Sequence, residues 1–438
     1  MSPVPPPAED LAPMPSTPEE EPPPRSRARG LLKSSLIRQN LLYLVGIGGS
    51  GAGVLIAQSY GAHHLTPVEN GESTAVVAVL NLLYTASFVV NAGAAREVAA
   101  AMARGVPADV RWPEVRRFTL RVGAGLAAAM VPVDVLLAFL LHLPHPEVLV
   151  VTIAAGPLSA MAGAQRGFLQ GARDFGRLAI NFLIYGGTVV VLAVVLLHVG
   201  LGSAAVPVAT LCGAVGSAIY PRHHHHPSAH RLRSQGRLVD YSVVAGAATA
   251  PLFNNLDVVA ARHVLTPGGA GLYSGLSVMG KIIFFGTSSL SAVMYPRVAA
   301  AASASVRRRL FLQTAAALAL ADAVALAAYG LLSRHLLRLV LGRQYHSDAK
   351  LLLLFAAGVV GLTVVNLLVY YGMATRNRNF ALVPAVGVPA LLAWLFTSPP
   401  QVSSFVPRIA SALLVLAAAE AVLVLPSALR GRANSPKH

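Results

Sequence analysis

The sequence is poor in charged residues and nearly free of cysteine. Charged side chains make up 12% of its 438 residues, whereas hydrophobic residues make up 55%. Soluble domains carry about 25% charged residues, so the composition argues against a soluble globular fold. The single cysteine, Cys212, excludes an intrachain disulfide and a metal site built from cysteines. The chain also lacks a Gly-rich loop ending in Lys-Ser or Lys-Thr, which excludes ATP hydrolysis by that motif.

Long apolar runs are the main feature that the sequence does have. A run of about 20 predominantly apolar residues is long enough to cross a bilayer as a helix. By this rule about twelve spans are predicted, near residues 41–61, 73–92, 118–141, 147–165, 178–200, 204–220, 240–262, 270–294, 310–331, 349–372, 380–397 and 406–426. The expected fold class is therefore an all-α polytopic membrane protein.

Positive charge dominates the segments between these spans. The formal net charge is +16, and most lysines and arginines fall on alternate loops. Basic loops favour the cytoplasmic side, so both termini are expected in the cytoplasm. The charge thus sets the orientation in the cytoplasmic membrane and does not indicate binding of nucleic acid. The basic residues expected on the outer side are Arg334, Arg338, Arg343, Lys350 and Arg408.

Two of these outer arginines belong to the amphipathic stretch Ser333–Tyr345. Its leucines and valine can share one helical face opposite Arg334 and Arg338. This pattern is typical of a short helix that lies on the membrane surface. The sequence therefore predicts a separate surface helix here.

Short motifs recur at a nearly constant spacing. Three pairs lie 200 to 205 residues apart, namely His64–Pro67 with Val264–Pro267, Ala95–Ala99 with Pro296–Ala299, and Arg173–Phe175 with Arg378–Phe380. Each pair follows topologically equivalent spans. We therefore expect two six-helix repeats related by an axis along the membrane normal. In transporters built from repeats of this kind, substrate binds between the halves, so a central cavity is expected.

The composition also divides the chain into segments. Residues 1–24 are rich in proline and acidic residues and are expected to be disordered. The predicted organisation is a cytoplasmic tail with a basic collar (1–38), an N-terminal half (39–220), a cytoplasmic linker (221–237), a C-terminal half (238–428) and a cytoplasmic tail (429–438). The linker contains His223–His226, for which a solvated loop is a simpler interpretation than a metal site.

Two stretches resemble one family. The segment Asn254–Arg297 contains Asn-x-x-Asp, Thr-Pro, Ala-Gly-Leu-Tyr and a terminal Tyr-Pro-Arg, and Gly167–Gly176 reads GFLQGARDFG. Both are similar to polysaccharide flippases of the multidrug/oligosaccharidyl-lipid/polysaccharide exporter (MOP) superfamily. With the predicted spans, the resemblance extends over roughly residues 38–428.

The resemblance implies a transporter that moves a lipid-linked oligosaccharide across the cytoplasmic membrane by alternating access. Its partners would be a polyprenyl-diphosphate-linked glycan, the lipid bilayer, and glycosyltransferases or a polymerase. Three alternatives remain open: a cation-coupled multidrug exporter of the same superfamily, a flippase for a lipid-linked peptidoglycan precursor, and a membrane scaffold in a glycan-synthesis complex. No catalytic constellation is visible in the sequence, so an enzyme is not expected.

Charged residues inside the spans are the main functional candidates, because a charge in lipid costs several kcal/mol and usually faces a bundle interior or a hydrated cavity. Lys281 and Asp257 are candidates for the substrate path, or else form a structural pair. Asp134 and Asp322 are candidates to bind H⁺ or Na⁺, unless neighbouring hydroxyls hold them. Glu420 is expected to lie near the inner end and to extend toward the interface.

Four arginines end helices at the predicted inner face: Arg96, Arg173, Arg297 and Arg378. A cation at a helix C-terminus is favourable and fixes the topology, so structure alone explains them. The sharper hypothesis is that they line an inward-facing mouth and bind a diphosphate, whose geometry suits the guanidinium fork. No cofactor and no metal site are expected.

Overall fold

The computed structural model describes residues 25–430 except 144, 222–247, 250, 300, 302, 343–344, 346–348 and 376. These residues form α-helices and short 3₁₀ turns, as expected for an all-α fold. The α-helices are α1 (Arg25–His64), α2 (Pro67–Ala103), α3 (Trp112–Leu141), α4 (Val150–Gly171), α5 (Phe175–His198), α6 (Ala205–Ile219), α7 (Leu256–Val264), α8 (Pro267–Ala299), α9 (Ala304–Leu341), α10 (Ala349–Ala374), α11 (Leu382–Phe396) and α12 (Val402–Arg430).

The chain is a multi-pass membrane protein. Within the described residues, 11 helices are long and apolar enough to cross a membrane. Each coincides with a span predicted from the sequence, and most extend a few residues beyond the predicted limits. In the predicted span at 240–262, residues 240–247 and 250 lie outside the described residues, and the described remainder ends in α7. The basic collar is part of α1, while residues 1–24 and His223–His226 lie outside the described part of the chain.

The two repeats begin their second helices in the same way. Thr66 caps α2: its side chain accepts from the N–H of Glu69, whose carboxylate accepts from the N–H of Thr66, which is a capping box. Two hundred residues later, the Thr266 hydroxyl accepts from the N–H of Gly269 at the start of α8. Such caps satisfy N–H groups that a helix leaves unpaired at its N-terminus. The repeated Thr-Pro motif is thus a repeated helix start.

Small residues let helices within each half pack closely. Gly163, Gly167 and Gly171 occupy one face of α4, and a Cβ at each would collide with the backbone of α2 at Ser87, Asn91 and Ala95. Membrane helices associate through such stripes because lipid gives them no hydrophobic driving force. The stripe joins α2 and α4 into one tightly packed unit.

The stretch Ser333–Tyr345 does not form a separate surface helix, and that prediction is wrong. Its residues up to Leu341 continue α9, which is 38 residues long. At 1.5 Å per residue, α9 extends about 57 Å, so it projects well beyond a hydrocarbon core of about 30 Å. The predicted division of faces does hold, because Leu337 and Leu341 are buried whereas Arg334 and Arg338 are exposed.

The two halves are α1–α6 and α7–α12, and the first helix of each half packs against helices of the other half. Helix α1 packs against α8 and α9 of the other half, and α7 packs against α2 and α3. Helices α2 and α8 also cross each other. We call the end of the bundle that holds the N-termini of α2 and α8 the closed end, and the opposite end the open end.

Candidate functional site

The halves touch most closely where α2 and α8 begin. A Cβ on Gly71 would lie 3.1 Å from the backbone nitrogen of Gly271, and a Cβ on Gly271 would overlap the carbonyl oxygen of Pro67. Gly71 and Gly271 are 200 residues apart, so equivalent positions of the two repeats meet. This is the arrangement expected near a pseudo-twofold axis, and it leaves no room for side chains between the helices.

On one side of this crossing, α7 holds the C-terminus of α3 through a set of contacts that we call the α3 latch. Arg262 Nε donates to the carbonyl of Leu141 at 3.1 Å, and Nη2 lies 3.3 Å from Glu72 Oε1 on α2. His263 Nδ1 donates to the carbonyl of Leu140 at 2.8 Å, and its ring stacks on His142. Arg262 and Glu72 are both buried, with 5% and 6% of their surface exposed. The α3 latch therefore contains a buried ion pair between the halves.

On the other side, α1 holds the C-terminus of α9 in the equivalent position, and we call these contacts the α9 latch. The Ser59 hydroxyl donates to the carbonyl of Val340, which corresponds to Leu140 at an offset of 200. His63, the equivalent of His263, lies against Gly342, which ends α9 as His142 ends α3. The sequence has Ala62 and Leu272 where the α3 latch has Arg262 and Glu72. Among the described residues, the α9 latch therefore lacks the ion pair of the α3 latch.

Exposure along the crossing helices changes sharply beyond these latches. On α2, every residue from Asn70 to Leu80 is buried, whereas the next six are part-exposed and Phe88 is 45% exposed. On α8, burial is nearly continuous up to Lys281, after which Phe285 is 45% exposed. The halves are thus sealed at the closed end and less tightly covered toward the open end.

Lys281 and Asp257 lie buried on neighbouring helices, 3% and 4% exposed. Asp257 Oδ2 accepts a hydrogen bond of 2.6 Å from the Tyr273 hydroxyl, while its Oδ1 and Lys281 Nζ have no hydrogen-bond partner. The two groups attract each other electrostatically, but they do not form a direct ion pair in the described structure. A structural pair and a role in the substrate path therefore both remain predictions for Lys281 and Asp257.

Lys281 also has a counterpart in the other repeat. The residue 200 positions earlier is Asn81 on α2, whose Nδ2 donates to Asn255 Oδ1 across the halves at 3.1 Å. Asn81 and Lys281 mark the depth at which α2 and α8 pass from buried to part-exposed. The sequence-predicted Lys281 thus lies at the base of the sealed region.

Asp134 and Asp322 are each held by a threonine of the next helix. The Thr152 hydroxyl contacts both carboxylate oxygens of Asp134, at 2.6 and 2.7 Å. Thr363 donates to Asp322 Oδ2 at 2.8 Å, but Asp322 Oδ1 is buried without a partner. Hydroxyl capping, the plainer of the two interpretations, is therefore found at both sites. Of these two aspartates, Asp322 is the one with a carboxylate oxygen that has no hydrogen-bond partner.

The four inner arginines lie near one end of the bundle but are not gathered at one point. Arg96 and Arg297 are exposed near the C-termini of α2 and α8, and exposed Arg173 lies in the turn between α4 and α5. Arg378 begins a 3₁₀ turn before α11, and its side chain lies outside the description. All four are therefore at the open end.

Sequence reasoning missed two buried charges. Arg166 lies one residue beyond the predicted span at 147–165, but in the structure it belongs to α4. Its Nε and Nη2 donate to Asn181 and Ser217 at 3.0 Å, and the guanidinium carbon lies 4.4 Å from the Phe182 ring centre. Glu420 does not extend to the interface. It is 0% exposed, and neither carboxylate oxygen has a hydrogen-bond partner. Arg166 could not be distinguished from the basic residues of the loop that follows it. The position of Glu420 along its helix did not show that its side chain is buried.

Comparison with solved structures identifies the architecture. The chain matches a structure described as the inward-facing conformation of a multidrug resistance MATE family transporter of the MOP superfamily, with a TM-score of 0.66, 11% identity, and coverage of 90% of this chain and 96% of that one. An outward-facing structure with the same description matches with a TM-score of 0.59 and 13% identity, covering 91% and 96%.

A third match is a MOP superfamily transporter from Pyrococcus furiosus, whose description states that the reverse polarity of its binding pocket suggests a different function. It has a TM-score of 0.60 and 13% identity, with 91% and 96% coverage. No protein-family model matches the chain, and no curated protein sequence matches it. At these identities the likeness shows the fold, which is that of the two-repeat transporters.

Proposed function

We propose that this chain, which has the fold of MATE transporters of the MOP superfamily, is a flippase that carries a lipid-linked oligosaccharide across the cytoplasmic membrane. The halves would rock against each other, forming the Gly71–Gly271 contact in one state and separating it in the other, and so expose the space between them to each side in turn. The observation that carries the proposal is Lys281, a buried ammonium without a hydrogen-bond partner at the base of the sealed region.

A buried, incompletely paired ammonium favours an anionic cargo. Asp257 attracts Lys281 but shares its charge with a hydrogen bond from Tyr273, and no ion pair forms. A charge inside a membrane protein is retained where it pairs or meets a ligand. The diphosphate of a polyprenyl-diphosphate-linked glycan supplies such an anion, while its polyprenyl chain remains in the lipid.

The exposed arginines support an entry route from the open end. Arg96, Arg173 and Arg297 are accessible there, and Arg378 lies in the same region of the chain. Arginine binds phosphate oxygens through paired donors, so these residues would receive the diphosphate before it reaches Lys281. Their second role is to hold this end on the cytoplasmic side through the positive-inside effect.

The orientation follows from the same charges. If the basic end is cytoplasmic, both termini are cytoplasmic and the described state is open inward. The higher TM-score to the inward-facing structure than to the outward-facing one supports this assignment. Glycosyltransferases or a polymerase acting on the same glycan would be the partners on the two sides of the membrane.

A cation gradient is the proposed energy source, and Asp322 is the proposed binding group. Its Oδ1 is buried without a partner, so it can take up H⁺ or contribute a ligand to Na⁺. Both oxygens of Asp134 lie within hydrogen-bond distance of the single Thr152 hydroxyl, which can donate to one of them at a time, whereas Asp322 Oδ1 has no partner at all. The unpartnered carboxyl of Glu420 lies in the same half and is a second proton-binding candidate.

Export of cationic drugs is the second candidate function, because two of the matching structures are described as multidrug resistance transporters. That function, a cation-coupled multidrug exporter, would need Asp134, Asp257 or Asp322 to be exposed in a cavity. A peptidoglycan-precursor flippase would share the diphosphate and differ in the sugar. A scaffold role would require neither buried charge.

The test is charge reversal at Lys281. Purified Lys281→Glu protein in vesicles is expected to lose translocation of a fluorescent polyprenyl-diphosphate oligosaccharide, because the substituted carboxylate repels the diphosphate. Lys281→Arg should keep a measurable rate, and Asn81→Gln at the equivalent position serves as the matched control. Wild-type translocation by Lys281→Glu would contradict the proposal. Drug efflux that depends on Asp257 would favour the exporter.

A further inference from the structure

The α3 latch and the α9 latch both join one half to the other at the closed end. Helix α7 reaches from the C-terminal half to α3, and α1 reaches from the N-terminal half to α9. Because both latches cross the boundary between the halves, neither can survive a separation of the halves at this end. They are therefore present in the described state and absent from a state open on this side.

The α3 latch differs in being charged and incompletely satisfied. Arg262 Nη2 faces Glu72 at 3.3 Å and Nε uses the Leu141 carbonyl, but Nη1 is buried with no hydrogen-bond partner. A buried ion pair offsets its own desolvation only in part. When the halves separate, both charges regain water. The pair thus opposes opening less than an apolar seal of the same size would.

The opposite holds when one member of the pair is removed. A lone guanidinium left between α3 and α2 keeps its charge without a carboxylate, and such unpaired buried charges are strongly destabilising. The state in which the closed end is sealed would lose the stabilisation that Glu72 gives to Arg262. The state in which the closed end has opened would lose nothing, because water reaches Arg262 there. Removal of Glu72 therefore changes the two states unequally.

We propose that the Glu72–Arg262 ion pair is the gate of the closed end, and that it sets the balance between the inward-open and outward-open states. This inference rests on the proposed rocking motion and adds the group that controls it. The α9 latch, which lacks this ion pair, has a smaller share in that balance. The pair binds no cargo, because it lies on the sealed side of Lys281.

The experiment measures the distance across the closed end directly. Val68 and Gly268 are equivalent positions near the starts of α2 and α8; Val68 is 36% exposed, and a Cβ on Gly268 would meet nothing within 4 Å. Spin labels on Val68→Cys and Gly268→Cys, in a Cys212→Ala background and in nanodiscs without cargo, report the separation of the halves. The wild-type pair should give mainly one short distance.

Glu72→Gln is expected to shift the ratio of long to short distances by at least about tenfold. Ser59→Ala in the α9 latch is the matched control and should shift it far less. The double variant Glu72→Leu with Arg262→Met removes both charges and should return the distribution to the short distance, which separates loss of charge from loss of packing. Thermal unfolding of each variant verifies that it is folded.

An unchanged distribution in Glu72→Gln, or an equal shift in Ser59→Ala, overturns the gate. Because the measurement contains no cargo, it stands apart from the test of Lys281. If Glu72→Gln shifts the distance but the wild-type protein does not translocate the oligosaccharide, the gate stands and the proposed cargo is contradicted. If the wild-type protein translocates the oligosaccharide but Glu72→Gln does not shift the distance, the cargo stands and the gate is contradicted.

Discussion

The α3 latch and the α9 latch occupy equivalent positions in the two repeats, yet they use different chemistry. His263 and His63 correspond, as do Leu140 and Val340, whose carbonyls accept from the opposite half. Among the described residues, only the α3 latch carries an ion pair, since Arg262 and Glu72 have Ala62 and Leu272 as counterparts. The two repeats therefore place equivalent carbonyls against the opposite half, but they use different donors, and the charge is specific to one side.

The same asymmetry recurs deeper in the bundle. Lys281 corresponds to Asn81, and Asp257 corresponds to Ala57. On one side, a hydrogen bond between the amides of Asn81 and Asn255 joins the halves. On the other side, the Lys281 ammonium has no hydrogen-bond partner. The scaffold is thus nearly symmetric, and its charges are not.

The largest expected effect comes from the crossing point itself. In Gly271→Ala, the new methyl group would overlap the Pro67 carbonyl, so the closed end cannot form and translocation should fall to the background of protein-free vesicles. Gly71→Ala, whose nearest contact is 3.1 Å, should retain part of the rate. Gly268→Ala is the matched control and should behave as wild type. Equal rates in all three variants would show that transport does not require the close approach of Gly71 and Gly271.

A second comparison separates the two membrane aspartates. Asp322→Asn should reduce the dependence of translocation on a proton or sodium gradient by about tenfold, within the usual range of coupling energies. Asp134→Asn should keep that dependence, because its carboxylate is already occupied by Thr152. The measurement is translocation in vesicles with and without an imposed gradient. Loss of coupling in Asp134→Asn alone would reverse the assignment.

The smallest effect is expected from the latch histidines. His263→Ala removes the donor to the Leu140 carbonyl and should cost about 1 kcal/mol, the usual net value of a hydrogen bond. His63 bonds only within its own helix among the described contacts, to the Ser59 carbonyl, so His63→Ala should cost less. Thermal unfolding in detergent measures both. A larger loss in His63→Ala would show that packing against Gly342 outweighs the hydrogen bond.

Much of the fold could be predicted because lipid imposes simple rules. Apolar run length located the spans, and the Thr-Pro motifs located equivalent helix starts at Thr66 and Thr266. The contact between Ser59 and Val340 could not be predicted, because these residues are 281 positions apart and neither carries a charge. Arg262 was visible as a charge near the end of a span, but its partner Glu72 belongs to the other half. Pairing across halves depends on packing that no local pattern records.

The glycine stripe of α4 has a consequence for how force is transmitted. Because Gly163, Gly167 and Gly171 bring α4 against the backbone of α2, these two helices have no compressible layer of side chains between them and move as one body. A displacement of α2 at its N-terminus must then carry α4 with it along the whole length of their contact. The N-terminal half thereby works as a stiff lever, and an event at one membrane surface is felt at the other without any bending of the helices in between.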